Sequence, residues 1–215
     1  MIIAAFCLFE IIAKFKSGFI RILIFVCGLR IYLVDSLKKI VKGCLKNKKA
    51  DQYQLYSHFS QKMYGVCLRY ARSYDEAQDI LQEGFIKVFE KLDTFKWKGS
   101  LEGWIKRIMI YTAIEKYRER IYHLSVDDLN ENGGYAEDNS GPENLSLAEL
   151  LNLIQQLPDQ YRLVFNLSVL EGMSHKEVGE LIGISESTSR SNLARARVIL
   201  QKWIVTEQKL VEKAI

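Results

Sequence analysis

Apolar positions along this 215-residue chain recur at spacings of three and four, not in alternation. That is the period of helices with one buried face. Between Glu76 and Phe95 the set Ile80, Leu81, Gly84, Phe85, Val88, Phe89 and Leu92 falls on one side, which predicts a helix with Ser73 or Asp75 at its cap and Glu76 in its first turn. A helix near Gln52 to Arg72 precedes it. Another begins near Ser100 and runs through GWIKRIMIYTAIEKYRER, with Trp104 expected in the core. Further on, LSLAELLNLIQQL is followed by PDQYRLVFNLSVLEG, where Pro158 suits a first turn and Gly172 a C-terminal cap.

Residues 174–197, SHKEVGELIGISESTSRSNLARAR, read as two short helices around a glycine. Ser174 caps the first, whose Val178, Leu181 and Ile182 face inward. Gly183 supplies a turn residue that tolerates positive φ, and Ile184 plugs the angle. Ser185 caps the second, in which Ser189, Leu193, Ala196 and Leu200 share the inner face. With only two prolines and no Val/Ile/Thr alternation, the expected fold is all-α, two small helical domains.

Two stretches break the pattern. Residues 1–33 are the most apolar, yet their longest uncharged run is nine residues, short of the ~18 of a membrane span, and any span must include Lys14, Lys16 or Arg21. No secretory signal is legible. The segment reads either as an amphipathic helix, with Glu10, Lys14, Ser17, Arg21 and Gly28 on one stripe, or as translation from an upstream start codon. Ser125 to Asn144, SVDDLNENGGYAEDNSGPEN, has adjacent glycines, a proline and no apolar period, and reads as a flexible acidic linker. The resulting division is an extension at 1–33, a helical domain at 34–122, a linker at 123–146, a second helical domain at 147–205 and a tail at 206–215.

Composition removes some classes of function. Cys7, Cys27, Cys44 and Cys67 show no CxxC spacing, and His58, His123 and His175 are scattered, so reduced, packed thiols in a cytoplasmic protein are expected, with no disulfide frame or metal site. No nucleophile paired with a base and no phosphate-cradling glycine loop stand out. Neither an enzyme nor a cofactor is expected.

Charge is unevenly spread. Residues 35–122 carry eighteen basic and eleven acidic side chains, 123–149 seven acidic and no basic, and 150–215 eight basic and seven acidic. On the second helix of the hairpin, Ser187, Arg190, Ser191, Ala194 and Arg195 lie on or beside the outer face. Arginines and small side chains there suit base edges and phosphates in a major groove. A block near +1 makes few phosphate contacts, so this hairpin binds DNA weakly unless something else holds it there. The Glu76–Phe95 helix offers that something: Asp79, Glu83, Ile86 and Glu90 form an acidic row with an isoleucine set into it and Gln82 beside it, suited to a basic helical partner. Lys96, Trp97, Lys98, Trp104, Lys106, Arg107, Tyr111, Lys116, Tyr117, Arg118 and Arg120 interleave cations and rings, as single-stranded nucleic acid requires.

AQDILQEGFIKVFEKL followed by GWIKRIMIYTAIEKYRER resembles region 2 of extracytoplasmic-function (ECF) RNA polymerase sigma factors. LPDQYRLVFNLSVLEGMSHKEVGELIGISESTSRSNLARARVIL resembles their region 4, and the flavour is similar to the Bacteroidetes branch. The resemblance spans about Val34 to Trp203. It implies a sigma factor that directs bacterial RNA polymerase to promoters and assists melting. Asp79, Gln82 and Glu83, with Ile86, would dock on the β′ clamp helices. Trp97, Lys98, Lys106, Arg107, Tyr111 and Arg118 would serve the −10 element; Ser187, Arg190, Ser191, Ala194, Arg195 and Arg197 the −35 element. Core polymerase, including its β flap, promoter DNA and an anti-sigma factor are the implied partners. Tyr111 stands where the family usually has asparagine, Glu115 where it has aspartate, and Gly179 and Ser189 where alanine and an apolar residue are usual. The rivals are a LuxR-type helix-turn-helix regulator, which needs a receiver domain that residues 35–122 lack, and a membrane-associated interaction protein using residues 1–33.

Overall fold

The computed structural model describes residues 35–124 and 147–214. The apolar extension and the acidic linker lie outside these residues, apart from the linker's expected first two positions, which are helical. All regular structure among the described residues is helical. The chain divides into two compact units, one ending at His58 and one beginning at Phe59.

In the first unit residues 35–44 form helix α1, and α2 begins at Lys49 and runs to Tyr70. The turn between them depends on two backbone features. Asn47 takes a left-handed conformation, φ 55°, which asparagine tolerates better than most residues. Gly43 leaves room for Asp51, whose carboxylate would collide with a Cβ at that position. Val41, Cys44 and Leu55 are buried here.

The second unit opens on the C-terminal part of α2, which buries Phe59, Met63, Val66 and Cys67. Helix α3 spans Tyr74–Lys91, and Ser73 caps it by accepting from the Glu76 amide at 3.1 Å. Its buried residues include Ala77, Ile80, Leu81, Gly84, Phe85 and Val88, the expected face. A 3₁₀ turn at Leu92–Thr94 leads to α4, Leu101–Leu124, where Ser100 accepts from the Gly103 amide at 3.0 Å. Helices α3 and α4 pack closely along Gly84, where any Cβ would collide with Met109 Sδ. Trp104, expected in the core, is half-buried, its ring 5.4 Å from that of Phe95.

The later part of this unit holds α5, Leu147–Gln156, and α6, Asp159–Phe165, which passes into a π-helical turn over Asn166–Leu170. Gly172, φ 71°, ends it in the left-handed region. Helices α7, His175–Ile182, and α8, Glu186–Ala214, follow. Leu153, Leu157, Ala196 and Leu200 form the buried cluster, with Tyr161, Phe165, Ile199, Trp203 and Ile204 around it. Arg162 is only 2% exposed, donating to the carbonyls of Gln155 at 2.5 Å and Leu157 at 3.1 Å, so its fork closes the orphan end of α5. No helix among the described residues is long and apolar enough to cross a membrane.

Candidate nucleic-acid and partner interfaces

The α7–α8 hairpin is assembled by local signals. Ser174 and Glu177 form a complete capping box, and hydrogen bonds from Ser174 hold the Glu177 carboxyl below its ordinary value. Gly183 ends α7 with φ 78°, and Ser185 Oγ accepts from the Thr188 amide at 3.0 Å. Both unusual positions find their reason here. A Cβ on Gly179 would lie 2.6 Å from the Ile184 carbonyl oxygen, so glycine lets the turn close against α7. Ser189 is fully buried and its Oγ lies 2.9 Å from His175 Nδ1, a polar joint between the two helices where an apolar contact was expected.

Leu193, Ala196 and Leu200 are buried with Ser189 on the inner face of α8, while Ser187, Arg190, Ser191, Ala194, Arg195 and Arg197 are all exposed on the outer. Arg190 pairs with Glu186 one turn back, its side chain 66% exposed, and Arg195 Nη1 donates to Tyr161 Oη at 3.4 Å.

On α3 the acidic row is outward, with Asp79, Gln82 and Ile86 exposed and Glu83 half-buried. Its carboxylates are threaded with cations of the same fold. Lys87 Nζ bonds Glu83 at 2.6 Å and Glu115 at 2.5 Å, while Lys116 Nζ lies 3.8 Å from both Asp79 and Glu83. Burial alone would lower the Lys87 ammonium, but the hydrogen bonds to Glu115 and Glu83 outweigh it and hold its pKa above 10.5. Glu115, where the family usually has aspartate, thus acts as the far anchor of this ladder. Asp79 remains the open end, its side chain 68% exposed.

The interleaved cations and rings of α4 fall into two groups. Trp97 and Lys98 in the loop, with Arg107 and Tyr111 on the helix, are exposed. Trp97 holds φ 56°, rare for a bulky residue, with its ring 4.9 Å from that of Phe95. Lys106 and Arg118 are instead occupied. Lys106 Nζ pairs with Glu171 at 2.6 Å, and Arg118 donates to the Leu181 carbonyl at the end of α7.

These contacts belong to a larger junction that sequence reasoning did not anticipate. Asp159 receives Arg72 Nε at 2.8 Å, Arg120 Nη2 at 2.7 Å and Arg162 Nη2 at 2.6 Å. Arg120 also reaches Glu76 at 2.7 Å. Burial pushes the Asp159 carboxyl up, but the arginines outweigh it and the carboxyl titrates below its ordinary 3.8. Gln155 Nε2 donates to the Leu68 carbonyl at 2.9 Å and Asn166 Nδ2 to that of Arg69 at 2.5 Å. No signal in the sequence links these partners, which lie up to 97 residues apart. Cys67 takes no part; burial pushes its thiol up to about 12, which leaves it unreactive.

Residues 55–120 match Sigma-70 region 2 and residues 147–200 match Sigma-70, region 4. The chain is 30% identical over 180 residues to the ECF RNA polymerase sigma factor SigW of Bacillus subtilis, covering 78% of this chain and 96% of that one. It is 32% identical over 155 residues to the ECF RNA polymerase sigma-E factor of Escherichia coli K12, covering 66% of this chain and 81% of that one. Among solved structures it is similar to the sigma factor RpoE in complex with the anti-sigma factor NepR from Bartonella quintana, at 21% identity and a TM-score of 0.48, covering 72% of this chain and 96% of that one. The chain belongs to the ECF RNA polymerase sigma factors, and its function is promoter-specific initiation of transcription.

Proposed function

We propose that core polymerase docks on α3 through Asp79, Gln82, Glu83 and Ile86, that the −10 element is met and opened by Trp97, Lys98, Lys106, Arg107, Tyr111 and Arg118, and that the −35 element is read by Ser187, Arg190, Ser191, Ala194, Arg195 and Arg197. The observation that carries this reading is the α3 row. An outward acidic ladder with Ile86 57% exposed in its midst has no role in the fold's own core, and it has the charge and shape to receive a basic helical surface such as the β′ clamp helices. The exposed outer face of α8 supports the −35 assignment, and the strained, ring-stacked Trp97 supports a place for an unstacked base.

On this reading residues 34–122 and 147–205 are the region 2 and region 4 modules, joined by an acidic linker that threads the polymerase cleft. Region 4 also meets the β flap. The protein works in the cytoplasm of a bacterium, with the region 2 and 4 motifs supporting a place in the Bacteroidetes branch. An anti-sigma factor covering the same faces is its inhibitor. The protein lends specificity and helps melt DNA, while phosphodiester chemistry stays with the polymerase.

The test is reconstitution with core polymerase on genomic DNA, with transcript ends mapped. New start sites sharing two spaced elements are expected. If the added protein produces no new start site, the reading fails.

A further inference from the structure

Glu186 stands apart on the outer face of α8. It is the sole acidic residue between 186 and 197, a stretch that also carries Arg190, Arg195 and Arg197, and it lies in the first turn of the helix. In a helix-turn-helix the N-terminal residues of the second helix come nearest the base edges, so an exposed carboxylate here meets the duplex at its closest approach. A helix N-terminus otherwise attracts phosphate, and Glu186 opposes that attraction. Its cost to DNA binding is not offset by a need of the fold, because Ser185 Oγ already caps α8 by accepting from the Thr188 amide at 3.0 Å.

The partner of the carboxylate supplies a reason. Arg190 Nη2 donates to Glu186 Oε1 one turn back, with both side chains exposed. Arg195 differs, since its partner, Tyr161 Oη at 3.4 Å, offsets none of its charge. Exchange of Glu186 for a phosphate would leave the carboxylate unpaired beside a second anion. A guanine edge carries no such penalty: its O6 and N7 are uncharged acceptors, and they match the guanidinium N–H groups that one carboxylate oxygen leaves uncovered.

We propose that Glu186 is a positioning residue that sets base specificity in the −35 contact, holding the Arg190 guanidinium toward a guanine edge and disfavouring the phosphate backbone. The proposal rests on the −35 assignment made above and deepens it, because Glu186 acts through Arg190 and not on DNA itself. An untethered arginine at this place would take the nearest phosphate, a contact that carries no sequence information. Tethering also restricts its rotamers before binding, so less side-chain entropy is lost on meeting the base. Such a pair gives up affinity for discrimination, which suits a subunit whose main hold on the promoter is through polymerase.

The experiment uses the full chain with core polymerase and a library of promoter fragments randomised across the upstream element, with bound fragments separated and sequenced. Arg190→Ala identifies the position read by Arg190, as the one where a guanine preference of about tenfold disappears. Glu186→Gln should reduce that preference to about threefold or less. It should also steepen the log–log salt dependence of binding to one fixed promoter by about one, between roughly 50 and 200 mM salt, as Arg190 gains a phosphate. In the Arg190→Ala background Glu186→Gln should change neither quantity, which separates action through Arg190 from a general repulsion of DNA. Wild-type preference in Glu186→Gln would overturn the proposal, as would a steepening of equal size with and without Arg190, or an Arg190→Ala profile that loses no guanine preference. The −35 assignment itself fails only if Arg190→Ala and Arg195→Ala both leave the whole sequence profile unchanged, whereas a preference lost in Arg190→Ala and intact in Glu186→Gln removes the role of Glu186 alone.

Discussion

The basic surfaces of α4 and α8 differ in what holds them. On α8 the arginines point outward, and Arg190 keeps only a partner from its own helix, Glu186. On α4, Lys106, Arg118 and Arg120 are engaged by groups that arrive from α6, the turn after it and α7. A cation paired one turn back on its own helix can exchange that partner for a phosphate with little rearrangement, because the pair is exposed and weak. A cation held by another part of the fold cannot be released without moving that part. The outer face of α8 is therefore open as folded, whereas these cations of α4 are held by other helices.

Changes at the junction should accordingly have the largest effect on stability. Asp159→Ala leaves Arg162 buried at 2% exposure without its carboxylate, and about 3 kcal/mol of stability should be lost in urea titrations followed by circular dichroism. A loss below 1 kcal/mol would mean that the Gln155 and Leu157 carbonyls suffice for Arg162. Arg190→Ala should lower transcription from −35-dependent promoters about tenfold in a reconstituted assay while core binding is unchanged. If it lowers core binding too, the division of labour between α3 and α8 is wrong. Ser189→Ala removes the buried bond to His175 and should cost about 1 kcal/mol, measured by the same urea titration.

The smallest effect concerns pH. Asp159 faces Arg72, Arg120, Arg162 and Tyr117, with Glu76 sharing Arg120, and its carboxyl titrates below 3.8 when folded. Its stabilising charge is therefore fully present above that value and is lost as pH falls through the folded value. The junction around Asp159 should hold across neutral pH and open only under strong acid. Expansion in small-angle scattering between pH 5 and pH 7 would place the titrating group elsewhere.

What the sequence made legible was local. The caps at Ser73, Ser174 and Ser185, the left-handed Gly172 and Gly183, the buried face of α3 and both faces of α8 follow from propensities within a few residues. The helices at Gln52–Arg72 and Ser100–Arg120 were placed to within a few residues by periodicity. The misses are contacts through space. A buried arginine contradicts every composition rule, and only a helix end with orphan carbonyls beside Asp159 makes Arg162 affordable. Ser189 looked like a packing defect because its partner His175 lies across the hairpin. Glu171 and Asp159 read as ordinary acidic residues near a turn and a helix start, and nothing within either segment names a lysine or arginine far upstream.

The central claim is that this subunit reaches DNA through polymerase, by the acidic row on α3. The most direct measurement is the affinity of core polymerase for the full chain, compared among the wild type, Arg190→Ala and the double substitution Asp79→Arg with Glu83→Arg. Like charges set against a basic helical partner should weaken the double variant about 100-fold, with thermal melting used to confirm that it stays folded, while Arg190→Ala binds as the wild type does. A folded double variant that binds core as tightly as the wild type would contradict the account.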